Sequence, residues 1–158
     1  MIKRLIILTI ISVLFLQPAI SAEAQEGFIK FIGRPNSKVF LEVAAASEER
    51  EKGLMNRPSL AEDRGMVFVF RPAAQITFWM KDTLISLDMI FISKGKIVKI
   101  VKNALPNQTT ILYPSNSLVT EVVEVNGGFS DKHKIKTGDR VVFKDIPQID
   151  YSVKSMSK

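Results

Sequence analysis

The sequence predicts a mainly β fold, a single compact β-sandwich or barrel-like domain with one or two short helices. Three observations carry this. Runs rich in Val, Ile and Phe recur along the chain. Turn-forming Gly, Pro, Asn and Asp residues separate them at short intervals. The gaps between the runs rarely hold enough residues for a crossover helix, which argues against parallel βαβ units.

Taken in order, the expected strands are Phe28–Ile32, Lys38–Val43, Met66–Phe70, Ile76–Met80, Leu87–Ile92, Lys96–Val101, Val119–Val125 and Arg140–Phe143. Gly33-Arg34-Pro35-Asn36 divides the first two. A helix is expected from Ser47, as N-cap, to about Lys52 or Met55, with Glu48 and Glu49 favouring the positive end of its dipole. Gly53 and Arg57-Pro58 stop it, and a second short turn is expected over Ser59–Ala61. Leu87–Ile92 and Lys96–Val101 read as a hairpin closed at Lys94-Gly95, where glycine takes the positive φ of a tight turn. Asn126-Gly127-Gly128 and Thr137-Gly138-Asp139 punctuate the last strands. No repeat, low-complexity segment or interdomain linker interrupts the pattern.

Residues 1–24 read as a secretory signal: Lys3 and Arg4, an apolar run from Leu5 to Leu16, then Ala22-Glu23-Ala24 as an A-x-A site. The run is shorter than the about 20 residues a membrane span needs, so contact with a membrane is expected only if the segment stays uncleaved. Cleavage lowers the net charge from +6 to +5, because it removes Lys3, Arg4 and Glu23. The expected division is a signal over 1–24, one β domain over 25–150 and a flexible tail over 151–158. The chain has no Cys, which excludes disulfides, thiolate chemistry and Cys-ligated metals. The cations are spread rather than blocked, which fits solvated surfaces.

The densest signal lies between Gly53 and Ile92. Gly53-Leu54-Met55-Asn56-Arg57 is followed by Gly65-Met66-Val67-Phe68-Val69-Phe70. Phe78-Trp79-Met80-Lys81-Asp82-Thr83 and Leu87-Asp88-Met89-Ile90-Phe91-Ile92 come next. In this order the segments resemble the DUF192 (ACR) family of small bacterial and archaeal domains of unknown biochemical role. Glu121–Gly128 and Ile135–Val141 are similar to the family's closing segments. Asp82 departs from the pattern, standing where many members carry Asn. The resemblance implies a compact β domain, often exported, and no reaction.

The candidate ligand-binding residues are Arg57, Trp79, Lys81, Asp82, Thr83, Asp88 and Glu124. Strand alternation puts Asp88 on one face with Ile90 and Ile92, and Leu87, Met89 and Phe91 on the other. Both faces are apolar, so Asp88 needs a partner: Arg57, Lys81, Thr83 or loop N–H groups. Phe78 and Trp79 point oppositely, so one of them is open to solvent or to a ring-bearing ligand. Arg57 can clamp a carboxylate or phosphate, or pair internally with Asp63, Asp82 or Asp88.

Enzyme and metal templates find little footing. His133 is the sole histidine, without a triad or zinc constellation around it. No nucleotide-binding glycine pattern, calcium loop or nucleic-acid motif is present. The expectation is therefore an exported, non-enzymatic β domain, periplasmic or extracellular. It would bind a small ligand, a glycan or an envelope protein at a polar site near Arg57, Trp79, Lys81 and Asp88. It needs no cofactor or metal and no nucleic-acid partner. The alternative is an envelope hydrolase or lyase using Asp88 with Lys81 or Glu124.

Overall fold

The computed structural model describes residues 26–146 and Ile149; the expected signal and the tail lie outside them. Nine strands and two short helices follow one another among these residues: β1 (Phe28–Phe31), β2 (Val39–Ala44), α1 (Ser47–Lys52), β3 (Arg64–Ala74), β4 (Thr77–Phe78), β5 (Leu87–Ser93), β6 (Lys96–Ala104), β7 (Tyr113–Pro114), β8 (Val119–Asn126), α2 (Phe129–Lys132) and β9 (Val141–Lys144). The predicted mainly β domain is what forms. Seven strands make one sheet in the order β6-β5-β8-β3-β2-β1-β9, and β4 pairs with β7 in a separate ribbon.

The large sheet curls into a half-barrel. Its two edge strands approach at one end, where Lys96 bridges to Arg140. There Ile97 N–H donates to Asp139 O at 2.9 Å and Val141 N–H to Gly95 O at 2.9 Å. Curling satisfies edge groups that would otherwise stay open to pairing with another chain.

One pairing corrects the expectation. β2 and β3 run parallel, with Leu41 opposite Gly65 and Val43 opposite Val67. The gap between them is the one that carries α1, and a helix is what returns a chain to the same end of a sheet. The helix cap also differs. Ala46, not Ser47, is the N-cap, with φ −75° and ψ 157°. Glu49 reaches back and accepts the N–H groups of Ala45 and Ala46, both at 2.9 Å, which a capping-box glutamate does from the third helical position. Gly53 closes α1 at φ 45°, and a Cβ there would lie 3.1 Å from the Phe68 ring. The short turn expected over Ser59–Ala61 falls at Glu62-Asp63, where Arg64 N–H donates to Ala61 O at 3.0 Å, and the second helix is α2. Lys94 and Gly95, at φ 49° and 73°, close the β5–β6 hairpin as read.

Period-two alternation supplies both faces of the sheet with apolar side chains. Ile29, Val67, Ile90, Ile92, Val123 and Val125 point into the half-barrel, which Phe129 of α2 closes at one end. Phe68, Leu87, Met89, Phe91 and Val122 point outward under a second layer made by α1, the β4–β7 ribbon and the loops beside them. Because both faces are covered, β5 is buried from Leu87 to Ile92.

Candidate functional site

The outer layer leaves a cleft of about 280 Å³ between α1, the β4 region and the sheet. Phe68, Phe70, Phe78 and Trp79 contribute its aromatic walls, Thr77, Thr83 and Glu124 its polar groups, and Arg50, Glu51 and Lys52 line it from α1. Local structure explains each placement. Phe68 and Phe70 are alternate residues of β3. Phe78 stands edge-on to Phe68, with ring centroids 4.9 Å apart, a favoured aromatic geometry. Arg50 is held over the Phe70 ring, 5.4 Å from its centroid, and donates to Val69 O at 3.3 Å.

Glu124 is the unusual group. It lies in β8 opposite Met66 of β3 and Met89 of β5, on the outward face and flanked there by apolar side chains. The residue is 4% exposed. No hydrogen bond or ion pair reaches its carboxyl among the described residues. Burial pushes its pKa up to about 8, with no cation near enough to oppose the shift. At neutral pH it is therefore mainly a neutral acid, able both to donate and to accept a hydrogen bond.

The other expected site residues separate. Trp79 lines the cleft and is 44% exposed, so of the Phe78–Trp79 pair it is Trp79 that faces outward. Thr83 lines it too, closing a tight turn by donating from its hydroxyl to Lys81 O at 3.1 Å. Lys81 lies outside the lining, with its ammonium 5.4 Å from the centre of the Trp79 ring. Asp82 is exposed in the same turn at φ 52°, and its carbonyl accepts Asn56 N–H at 2.7 Å. Asn and Asp are the residues that tolerate this left-handed region best, which accounts for either standing here.

Arg57 pairs with none of the acids anticipated for it. It forms a bidentate pair with Glu42 of β2 at 2.5 and 2.6 Å, and the guanidinium holds the Glu42 carboxyl below its ordinary range. Asp88 is fully buried, and its carboxylate accepts the N–H groups of Asn103 at 2.8 Å, Gly128 at 3.0 Å and Ser130 at 2.8 Å. It thereby ties β5 to the end of β6 and to the start of α2. Arg57, Lys81 and Thr83 do not reach it. The register also separates the two carboxyls. Asp88 pairs with Val125 while Met89 pairs with Glu124, so the acids stand on opposite faces of the sheet and share no cleft.

The sequence reading missed Arg50 and the Phe68–Phe70 wall. The signal was present in β3, whose alternation puts Met66, Phe68 and Phe70 on one face with little but α1 to cover them.

Comparison with known proteins agrees with this architecture. The DUF192 family (Uncharacterized ACR) matches residues 30–143. A protein of unknown function from Novosphingobium aromaticivorans is 34% identical, with a TM-score of 0.68 over 73% of this chain and 83% of its own. A candidate transcription regulator from Sinorhizobium meliloti is 31% identical, with a TM-score of 0.70 over 77% of this chain and 95% of its own. No curated protein matches the chain.

Proposed function

The chain belongs to the DUF192 family, and from that premise we propose that it is an exported, non-enzymatic binding protein of the cell envelope whose outer cleft takes a small ring-bearing ligand. The observation that carries the reading is the buried Glu124 carboxyl, unpartnered and facing the cleft. Leaving such a group without a partner costs about 1–3 kcal/mol, and a ligand that hydrogen-bonds it recovers that cost. The rings of Phe68, Phe70, Phe78 and Trp79 suit an apolar ring face, and Glu124 with the Thr83 hydroxyl suits polar groups on its edge. A sugar ring or a nucleobase has both features. Lys3, Arg4, the Leu5–Leu16 run and Ala22-Glu23-Ala24 support export.

A nucleic-acid role, as the description of the Sinorhizobium relative would suggest, finds less support. Arg34, Arg57, Arg64 and Arg71 are each paired with a carboxylate rather than free to meet phosphate. The hydrolase or lyase alternative loses its proposed pair, since Asp88 is saturated by backbone N–H groups on the far face.

The test is a thermal-shift screen of the protein against monosaccharides, nucleobases and aromatic amines. One class should raise Tm in the parent and lose that effect in folded Glu124→Leu and Trp79→Ala variants, since leucine can neither donate nor accept a hydrogen bond. A ligand that stabilises parent and both variants equally binds elsewhere and overturns the assignment.

A further inference from the structure

Beside the cleft runs a strip of large apolar side chains that the fold leaves uncovered. Trp79, Leu84, Leu105, Ile111 and Leu112 are 44%, 47%, 58%, 46% and 57% exposed. They belong to two segments, 79–86 and 105–112, that lie side by side. Phe78 pairs with Tyr113, and the same register carried one residue further sets Leu112 opposite Trp79. Met80 N–H donates to Gln108 O at 3.1 Å, and Asn107 N–H to Thr83 O at 2.9 Å. That second bond brings the Leu84 and Leu105 neighbourhoods together. The buried Met80 anchors the strip to the layer beneath.

Cations outnumber acids around the strip. In the two segments the ionisable side chains are Lys81 and Asp82, and the remaining polar residues are Asn, Gln, Thr and Ser. Lys81 lies over the Trp79 ring. Lys99, on the outward face of β6, bonds the carbonyl of Pro114 beside the ribbon. Arg50, Glu51 and Lys52 stand across the cleft, a net positive set. An obligate protein interface tends to be flat and poor in charge at its core. Paired loops carrying Leu, Ile and a half-exposed Trp among lysines suit the boundary of an anionic bilayer. There the indole prefers the headgroup level, the aliphatic chains reach into the acyl region, and each cation near the surface adds favourable energy.

We infer that the strip formed by segments 79–86 and 105–112 docks on the surface of an anionic membrane, with Trp79, Leu84, Leu105 and Leu112 entering the lipid boundary. The mouth of the Glu124 cleft then faces the bilayer, because Trp79 belongs to both. The strip's docking does not depend on what the cleft binds.

Trp79 is the sole tryptophan, so its emission reports on this strip whatever else holds the chain to a membrane. The full chain is mixed with vesicles of phosphatidylcholine alone, or of phosphatidylcholine with phosphatidylglycerol, each carrying bromine-labelled acyl chains. The expected result is a blue shift and quenching of Trp79 on the anionic vesicles, weakened by salt. Lys81→Gln should weaken partition about fivefold, and a Leu105→Asp/Leu112→Asp double variant should abolish the quenching while its circular dichroism is unchanged. Chain that sediments with anionic vesicles while Trp79 stays unquenched would overturn the inference, since another segment then makes the contact. Equal quenching in parent and double variant would do the same. So would concentration-dependent dimerisation without lipid that the double variant abolishes, because the strip would then pack against a second copy.

Discussion

Replacing Glu124 by Gln tests the carboxyl at the centre of the cleft through stability alone. In the folded chain burial raises the Glu124 pKa from its ordinary 4.5 to about 8. The folded state therefore holds a proton that the unfolded state releases between these two values. Below about pH 4.5 both states are protonated and the group leaves stability unchanged. As pH rises from there toward about 8, stability falls by about 1.4 kcal/mol per pH unit, and above that it levels off. The accumulated penalty is on the order of 4–5 kcal/mol. Glutamine keeps the shape of the neutral acid and cannot ionise, so the variant escapes the penalty. Urea unfolding followed by circular dichroism is run on parent and Glu124→Gln across this range. The two should coincide at acid pH, and the variant should be the more stable at about pH 8.5 by roughly 4 kcal/mol. Other titrating groups cancel in the difference. A difference that stays flat across the range would refute the reasoning, because the carboxyl would then be solvated or paired in the folded chain.

Asp88→Asn should cost about 2–4 kcal/mol, since the amide offers one acceptor oxygen where the carboxylate serves three N–H groups with two. A Tm within about 2 °C of the parent would remove Asp88 from its structural role. Arg57→Ala should cost less than about 1 kcal/mol, because the Arg57–Glu42 pair is partly exposed to solvent; calorimetry showing a loss several times larger would mean that Arg57 does more than pair with Glu42. Gly65→Ala should destabilise by about 1–3 kcal/mol. Its Cβ would fall 2.5 Å from the backbone oxygen of Glu124 in the neighbouring strand, and an unchanged urea midpoint would contradict that packing.

Family, fold class and most strands could be read from the chain because each rests on local patterning. Alternation assigns a strand's residues to two faces without reference to any other strand, so the Asp88–Ile90–Ile92 face was legible, and so was the hairpin at Lys94-Gly95. The ordered segments from Gly53 to Ile92 identified the family for the same reason. The site was less legible, because a site joins residues distant in sequence. Asp88 and Glu124 look alike as acids in apolar strands. The β5–β8 register sends one inward, where three backbone N–H groups meet it, and the other outward to the cleft. Arg57 met Glu42 because β2 pairs parallel to β3, a long-range choice that no local pattern near Arg57 encodes. Local sequence determined which residues are buried and on which side of their own strand they stand. Tertiary pairing decided which buried polar groups found partners, and it left Glu124 facing the cleft.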